Sequence, residues 1–156
     1  MVLESIGTHG LAAFGAGAAV VLSGIGTMKG LEIAGHAAAG VSAEDSENAR
    51  NALILQALPQ TQVIYGFIIA IIIIIGLLNE KITAENTWIC ILSGFLVGLT
   101  GLSAINQGKV AASSIGAAAK NQSIFGNLLI YVVMVEITAL FGFVIALMLL
   151  LSGQVI

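Results

Sequence analysis

Four long apolar runs constrain the fold of this chain more than any other feature of its sequence. They cover residues 11–28, 63–78, 88–105 and 128–151, and only the last is interrupted by a charge. Each approaches or exceeds the roughly 18–20 residues that a helix needs to cross about 30 Å of hydrocarbon. A lipid-exposed backbone must be satisfied within a helix or a closed barrel. Since the strict alternation of a barrel strand is missing from the runs, they predict four transmembrane helices.

The charge content agrees with a membrane protein. Of the 156 residues, 58% are hydrophobic and only 8% are charged, whereas a soluble domain carries roughly 25% charged residues. The net charge of −3 is too small, and too evenly spread, to favour nucleic acid as a partner. A single cysteine, Cys90, excludes an internal disulfide and a cysteine-based metal cluster.

The sequence repeats itself. Residues 65–70 (YGFIIA) match residues 141–146 (FGFVIA) at a shift of 76 positions. We therefore expect two tandemly duplicated helical hairpins: residues 1–79, with spans at about 11–39 and 51–78, and residues 80–156, with spans at about 87–119 and 124–152. An even number of spans separates the copies, so they insert in parallel, which argues against an inverted-repeat transporter.

Basic residues predict the orientation in the membrane. Three polar breaks separate the spans, at residues 40–51, 79–86 and 120–123. Arg50 and Lys120 lie in the two hairpin loops, with Lys29 and Lys109 near the same helix ends, while the other side has only Lys81. The positive-inside rule then places both hairpin loops in the cytoplasm and both termini outside a cell membrane.

Spans one and three are unusually rich in glycine. Small residues let helices approach closely in lipid, where packing drives association. Spans two and four instead carry most of the Ile, Leu, Val and Phe. We expect a closely packed layer of spans one and three, with spans two and four facing lipid, as in a curved oligomer. The glycines of that layer are Gly10, Gly15, Gly17, Gly24, Gly26, Gly30, Gly94, Gly98, Gly101 and Gly108.

Glu136 is the main functional candidate. It lies well inside span four, after eight residues of the apolar run, where an unneutralised carboxylate is costly. The centres of the four spans contain no basic residue that could pair with it. This pattern favours a carboxylate that binds a proton or a cation.

Polar groups on spans two and three are candidates to surround that carboxylate. Pro59 removes one backbone hydrogen bond and so frees carbonyls. Span three contributes the amide of Gln107. One helical face of span two carries four further residues, spaced +3, +4 and +7: Leu58, Thr61, Gln62 and Tyr65.

This donor set suits a hard monovalent cation. It offers a backbone carbonyl, a hydroxyl, two amide oxygens and one carboxylate, and one positive charge would neutralise it. Calcium prefers six to eight oxygens and more carboxylates. A site for protons alone would need little beyond the carboxylate. Each glutamine taken singly could equally form an interhelical hydrogen bond.

Three segments resemble the four-helix membrane rotor subunit of V-type ATPases, in particular the sodium-pumping bacterial form. They are LPQTQ at 58–62 followed by YGF at 65–67, QGKVAA at 107–112, and MVE at 134–136 followed by GFVI at 142–145. The resemblance extends over essentially the whole chain. It implies a closed ring of identical subunits, with lipids, a stator membrane subunit, and central stalk subunits at the cytoplasmic loops. It also implies an ion-translocating subunit that is not catalytic alone.

The resemblance further implies a role for each site residue. Glu136 would be the essential ion-carrying carboxylate, and Tyr65 would hydrogen-bond it and lock the occupied site. Na⁺ would be held by Glu136, by the side chains of Thr61, Gln62 and Gln107, and by the backbone carbonyl of Leu58. In the register of the duplication Gln60 stands in the place of Glu136, so each four-span chain would carry one ion.

Two alternatives stay open from sequence. The first is the same rotor carrying H⁺. The second is a small four-helix antiporter of cationic drugs, which also relies on one membrane glutamate. An antiporter of that kind would favour aromatic residues around the carboxylate, whereas amides and hydroxyls are found here and the single tryptophan, Trp88, lies at the end of span three.

Overall fold

The structure is a computed structural model that describes residues 2–44 and 48–156. Residues 45–47, in the predicted polar break 40–51, lie outside the described residues. Within the described ranges the secondary structure is helical, and four helical segments are long and apolar enough to cross a membrane. This confirms the predicted all-helical fold with four spans. The helices are α1 (Val2–Glu44), α2 (Ala49–Ala57), α3 (Thr61–Leu78), α4 (Thr87–Gly101), α5 (Ala104–Lys120) and α6 (Phe125–Ser152).

Two spans consist of two helices each. Span one is α1, span two joins α2 to α3, span three joins α4 to α5, and span four is α6 preceded by a short 3₁₀ turn at Gln122–Ile124. α1 is longer than the expected 11–39. Residues 40–44 are mostly small or polar rather than helix-breaking, so the helix continues beyond the apolar run.

The interruptions of spans two and three lie close together. Span two has a 3₁₀ segment at Leu58–Gln60, with Pro59 near its start. Span three has a turn at residues 102–103, where the amides of Leu102 and Ser103 bond to carbonyls three residues earlier. Pro59 explains the first interruption. The second follows Gly101 and lies within an apolar run that predicts one continuous helix.

Glycines bring spans one and three into backbone contact. A Cβ built on Gly94 would overlap the carbonyl of Gly15, and one built on Gly108 would overlap Gly30. A side chain at either position would therefore separate the helices, which explains why small residues recur along this contact. Large apolar side chains of spans two and four, such as Ile64 and Ile130, are instead exposed on the chain's surface.

Two apolar clusters form the core, and a polar layer separates them. One cluster, around Ile69 and Leu150, lies toward the chain termini. The other, around Leu55 and Ile115, lies toward the hairpin loops. The buried polar side chains between them include those of Gln62 and Gln107. The fold thus concentrates polar groups at the level where spans two and three are interrupted.

Candidate ion-binding site

The distorted turn of span two positions the first two oxygens of the site. Pro59 has no amide hydrogen, and the chain tightens into a 3₁₀ turn in which the Thr61 amide donates to the Leu58 carbonyl. The Thr61 hydroxyl donates to the same carbonyl at 3.1 Å. The Leu58 and Thr61 oxygens are therefore adjacent, on the side of span two that carries Gln62.

Two fully buried amides connect span two to span three. Gln62 Nε2 donates to Gln107 Oε1 at 2.6 Å, and both side chains have 0% exposure. Gln107 Nε2 donates in turn to the Val132 carbonyl at 3.3 Å and more weakly to Glu136 Oε2 at 3.5 Å. A buried amide without hydrogen-bond partners is costly. These bonds therefore fix both glutamine side chains between span two and the Glu136 carboxylate.

Tyr65 makes the short hydrogen bond to the carboxylate. Its hydroxyl donates to Glu136 Oε1 at 2.7 Å, a usual length for an O–H···O hydrogen bond. The Tyr65 ring stacks on Phe143 of span four, with ring centroids 5.2 Å apart and an interplanar angle of 26°. The aromatic contact holds the phenol over Glu136, which is itself half-buried.

Glu136 receives its bonds from neutral groups. In the ranges the structure describes, the carboxylate is bonded by a phenol and an amide. The ion pair seen in those ranges joins Lys29 and Glu32 at 2.7 Å, on a half-exposed part of span one. The site thus offers one negative charge that a monovalent cation or a proton would neutralise.

The structure brings together all six residues singled out from sequence. Leu58, Thr61 and Gln62 form one connected set, and Gln107 joins that set to the pair of Tyr65 and Glu136. A cation in their midst would need Gln107 Oε1 to turn from the Gln62 amide nitrogen toward the ion, and Gln62 Oε1 to turn from the Thr61 hydroxyl. Over the described part of the chain, no cluster of three His, Cys, Asp or Glu residues is present that would suit a transition metal.

Three supporting groups were not singled out from sequence. The hydroxyl of Thr27 on span one donates to the Pro59 carbonyl at 3.1 Å, and Thr27 is only 4% exposed. The Val132 carbonyl accepts from Gln107, and Phe143 packs on Tyr65. Thr27 has one sequence signal, since it is a polar residue in an apolar run, one turn after Ser23. The backbone carbonyl of Val132 and the packing of Phe143 on Tyr65 cannot be recognised from residue types alone.

Comparisons with known proteins identify the family of this chain. The model of the family of ATP synthase C subunits matches residues 14–73 and 91–149. The A-type ATP synthase subunit K of Methanocaldococcus jannaschii is 42% identical over 142 residues, covering 91% of this chain and 62% of the relative. The chain therefore spans less than two thirds of that relative.

Two further relatives match over most of their length. The V-type sodium ATPase subunit K of Enterococcus hirae is 41% identical over 137 residues, 86% of each chain. The human 16 kDa proteolipid of the V-type proton ATPase is 28% identical over 139 residues, covering 88% of this chain and 89% of the relative.

Proposed function

Since this chain belongs to the family of ATP synthase C subunits, we propose that it is the rotor proteolipid of a V/A-type ATPase and that it carries Na⁺ at Glu136. The relatives are subunits of larger ATPases or ATP synthases, so the chain acts in a complex and is not catalytic alone. Membership of this family argues against the alternative function of a small four-helix antiporter of cationic drugs.

The observation that carries the proposal is a membrane carboxylate surrounded by neutral oxygen groups. Glu136 lies in the middle of span four and is hydrogen-bonded by Tyr65. The remaining groups, Leu58, Thr61, Gln62 and Gln107, supply a carbonyl, a hydroxyl and two amide oxygens. Such oxygens are the ligands that a hard cation prefers in place of water.

We assign the residues to roles on the same grounds. Glu136 provides the charge, and the side chains of Thr61, Gln62 and Gln107 with the Leu58 carbonyl provide the neutral oxygens. Tyr65 donates to Glu136 and so locks the occupied site. Proton transport by the same rotor is the second candidate, and it is favoured by the name of the human relative, as sodium is by that of the Enterococcus hirae relative.

The assembly part of the proposal is a closed ring of identical chains with lipids. A stator membrane subunit would face the outer helices, and central stalk subunits would contact the hairpin loops. The chain would be a multi-pass protein of the cell membrane with cytoplasmic hairpin loops and external termini. The excess of Lys and Arg at the hairpin-loop side supports that orientation.

Sodium and proton transport can be separated by carbodiimide labelling of Glu136 in the purified oligomer. The reagent attacks the protonated acid, whereas a carboxylate that holds Na⁺ is ionised. Millimolar Na⁺ should therefore slow labelling at fixed pH, and K⁺ should not, because K⁺ requires longer metal–oxygen distances. The proton alternative expects labelling that follows pH alone.

Ligand variants test the same site one oxygen at a time. Thr61→Val and Gln107→Leu should each weaken the protection by Na⁺, while Glu136 still reacts at low pH. Thr100→Val is a matched control, because among the described residues the Thr100 hydroxyl bonds to the Leu96 and Val97 carbonyls of its own helix and to no ligand group of the site. If Na⁺ failed to protect the unmodified oligomer, the sodium assignment would be wrong and the rotor assignment would stand.

A further inference from the structure

The duplication places the aromatic residues of the site at a second position on the chain. The stacked pair of the site is Tyr65 of the first hairpin and Phe143 of the second. At the shift of 76 positions Tyr65 corresponds to Phe141, and Phe143 corresponds to Phe67. The equivalent pair is therefore also aromatic, but Phe141 belongs to the second hairpin and Phe67 to the first.

Phe67 and Phe141 do not contact each other within one chain. Phe67 is 54% exposed and Phe141 is 66% exposed, whereas Tyr65 and Phe143 are partly buried against the core. The order of the hairpins explains the difference. Inside the chain, one side of the second hairpin packs on the first hairpin. Phe141 lies on another side of the second hairpin, where only the first hairpin of another copy could pack in the equivalent way.

The residues beside these aromatics differ together between the two hairpins. Within the chain, Tyr65 donates to Glu136 at 2.7 Å. The equivalents of these two residues are Phe141, which has no hydroxyl, and Gln60, which has no charge. A carboxylate without the hydroxyl would be left without its donor, and a phenol without the carboxylate would be left without its acceptor. Two positions that face each other are therefore expected to lack the hydroxyl and the charge together.

We propose that Phe141 of one chain stacks on Phe67 of a second copy and covers Gln60 of that copy. This contact is a version of the ion site without its carboxylate, at each boundary between neighbouring copies. The partner is a second copy of this chain because Phe67 and Gln60 belong to the first hairpin, and the first hairpin of the same chain already packs against the other side. Gln60 is exposed on the single chain, and the neighbour's ring would shield it from lipid.

The inference rests on the proposed ring, so the ring is measured first. Native mass spectrometry of the purified oligomer gives the number of copies. A monomer would overturn the ring and this contact with it. An oligomer allows the contact to be tested by itself.

The contact is tested by cross-linking Phe67→Cys with Phe141→Cys in a Cys90→Ala background, using a short bifunctional thiol reagent. The expected result is loss of most of the monomer band on a denaturing gel and a ladder of covalently joined chains. Each single-cysteine variant should still run as a monomer on the denaturing gel after treatment with the reagent. The matched pair Tyr65→Cys and Phe143→Cys should join within one chain and give a monomer of altered mobility.

An off-register control uses Phe67→Cys with Met148→Cys. Met148 is also exposed on span four, but it lies seven residues beyond Phe141, about 10 Å along the helix. Its ladder should be much weaker. An intact oligomer in which the Phe67 and Phe141 cysteines react singly but give no ladder would overturn the contact and leave the ring standing.

If the paired variant fails to assemble, Phe67→Leu and Phe141→Leu provide the second measurement. Each should lower the temperature at which the detergent-solubilised ring dissociates. The double variant should lower it by less than the two separate shifts together, because the residues share one contact. Fully additive shifts would overturn the proposal.

Discussion

At the scale of single residues, the chemistry of the site depends on how Tyr65 meets Glu136. The phenol is held from two sides, by its 2.7 Å bond to the carboxylate and by the stacked ring of Phe143. Removing the hydroxyl leaves the ring contact in place. The effect of the hydrogen bond can therefore be isolated from that of packing.

Tyr65→Phe should weaken Na⁺ binding without disturbing assembly. A hydrogen bond to a charged group contributes about 1.5–3 kcal/mol, so the Na⁺ concentration that half-protects Glu136 from carbodiimide should rise roughly ten- to a hundredfold. Tyr131→Phe is a control, because Tyr131 is exposed on the same span as Glu136. If Na⁺ protected Glu136 equally well in Tyr65→Phe and in the unmodified protein, the Tyr65 hydroxyl would not contribute to Na⁺ binding.

Polar residues within the predicted spans made most of the candidate site readable from sequence. Glu136, Gln62, Gln107 and Thr61 are conspicuous because each carries a cost in lipid that a partner must offset. The bond from Thr27 to the Pro59 carbonyl was not readable in this way, since its acceptor is backbone. Sequence identifies which polar groups need partners, but the choice among partners depends on how the helices pack.

At the scale of helices, the close contact of spans one and three depends on which faces carry glycine. A Cβ at Gly26 would lie 2.6 Å from the Gly101 carbonyl oxygen and 2.8 Å from the Leu102 Cα. A Cβ at Gly24 would meet only a Val63 methyl group, at 3.8 Å. These glycines are equivalent in the sequence pattern, because spacing alone does not reveal which of them meets backbone.

Gly26→Ala should therefore destabilise the protein, and Gly24→Ala should not. Overpacking of this kind typically costs about 1–3 kcal/mol, and here the opposing atoms are backbone atoms that cannot turn aside. The measurement is the denaturant concentration at which helical circular dichroism is lost in detergent. Equal midpoints for the two variants would contradict the close contact between the Gly26 and Gly101 backbones.

The interruption of span three shows the limit of hydropathy for helix geometry. The run 88–105 predicts one continuous helix, yet the chain turns at residues 102–103 beside the Pro59 turn of span two. Proline signals the turn of span two in the sequence, whereas the turn of span three has no comparable signal. A short stretch of 3₁₀ geometry within a helix often marks a functional hinge or local strain, and both turns lie at the level of Gln62 and Gln107.

At the scale of the whole molecule, the fold was predictable because apolar length and the internal repeat are global properties of the sequence. Four spans follow from hydropathy without any knowledge of side-chain contacts. The arrangement of the site does not follow in the same way. The repeat implies two similar hairpins, but Gln60 and Phe141 stand in place of Glu136 and Tyr65, so similar hairpins need not form two similar sites.

A chain that carries one ion should contain one carboxylate that reacts with a hydrophobic carbodiimide, and the number of adducts per chain can be measured. A hydrophobic carbodiimide at low pH and without Na⁺ should add a single adduct to each 156-residue chain, measured as the intact mass of the dissociated chain. Glu32 also lies in span one, beyond the apolar run, but it is half-exposed and forms an ion pair with Lys29 at 2.7 Å, whereas Glu136 is half-buried and bonded by neutral groups. Glu136→Gln should give no adduct and no ATP-driven Na⁺ uptake, while native mass spectrometry shows the same oligomer. A persistent adduct or surviving uptake in that variant would mean that another group carries the ion.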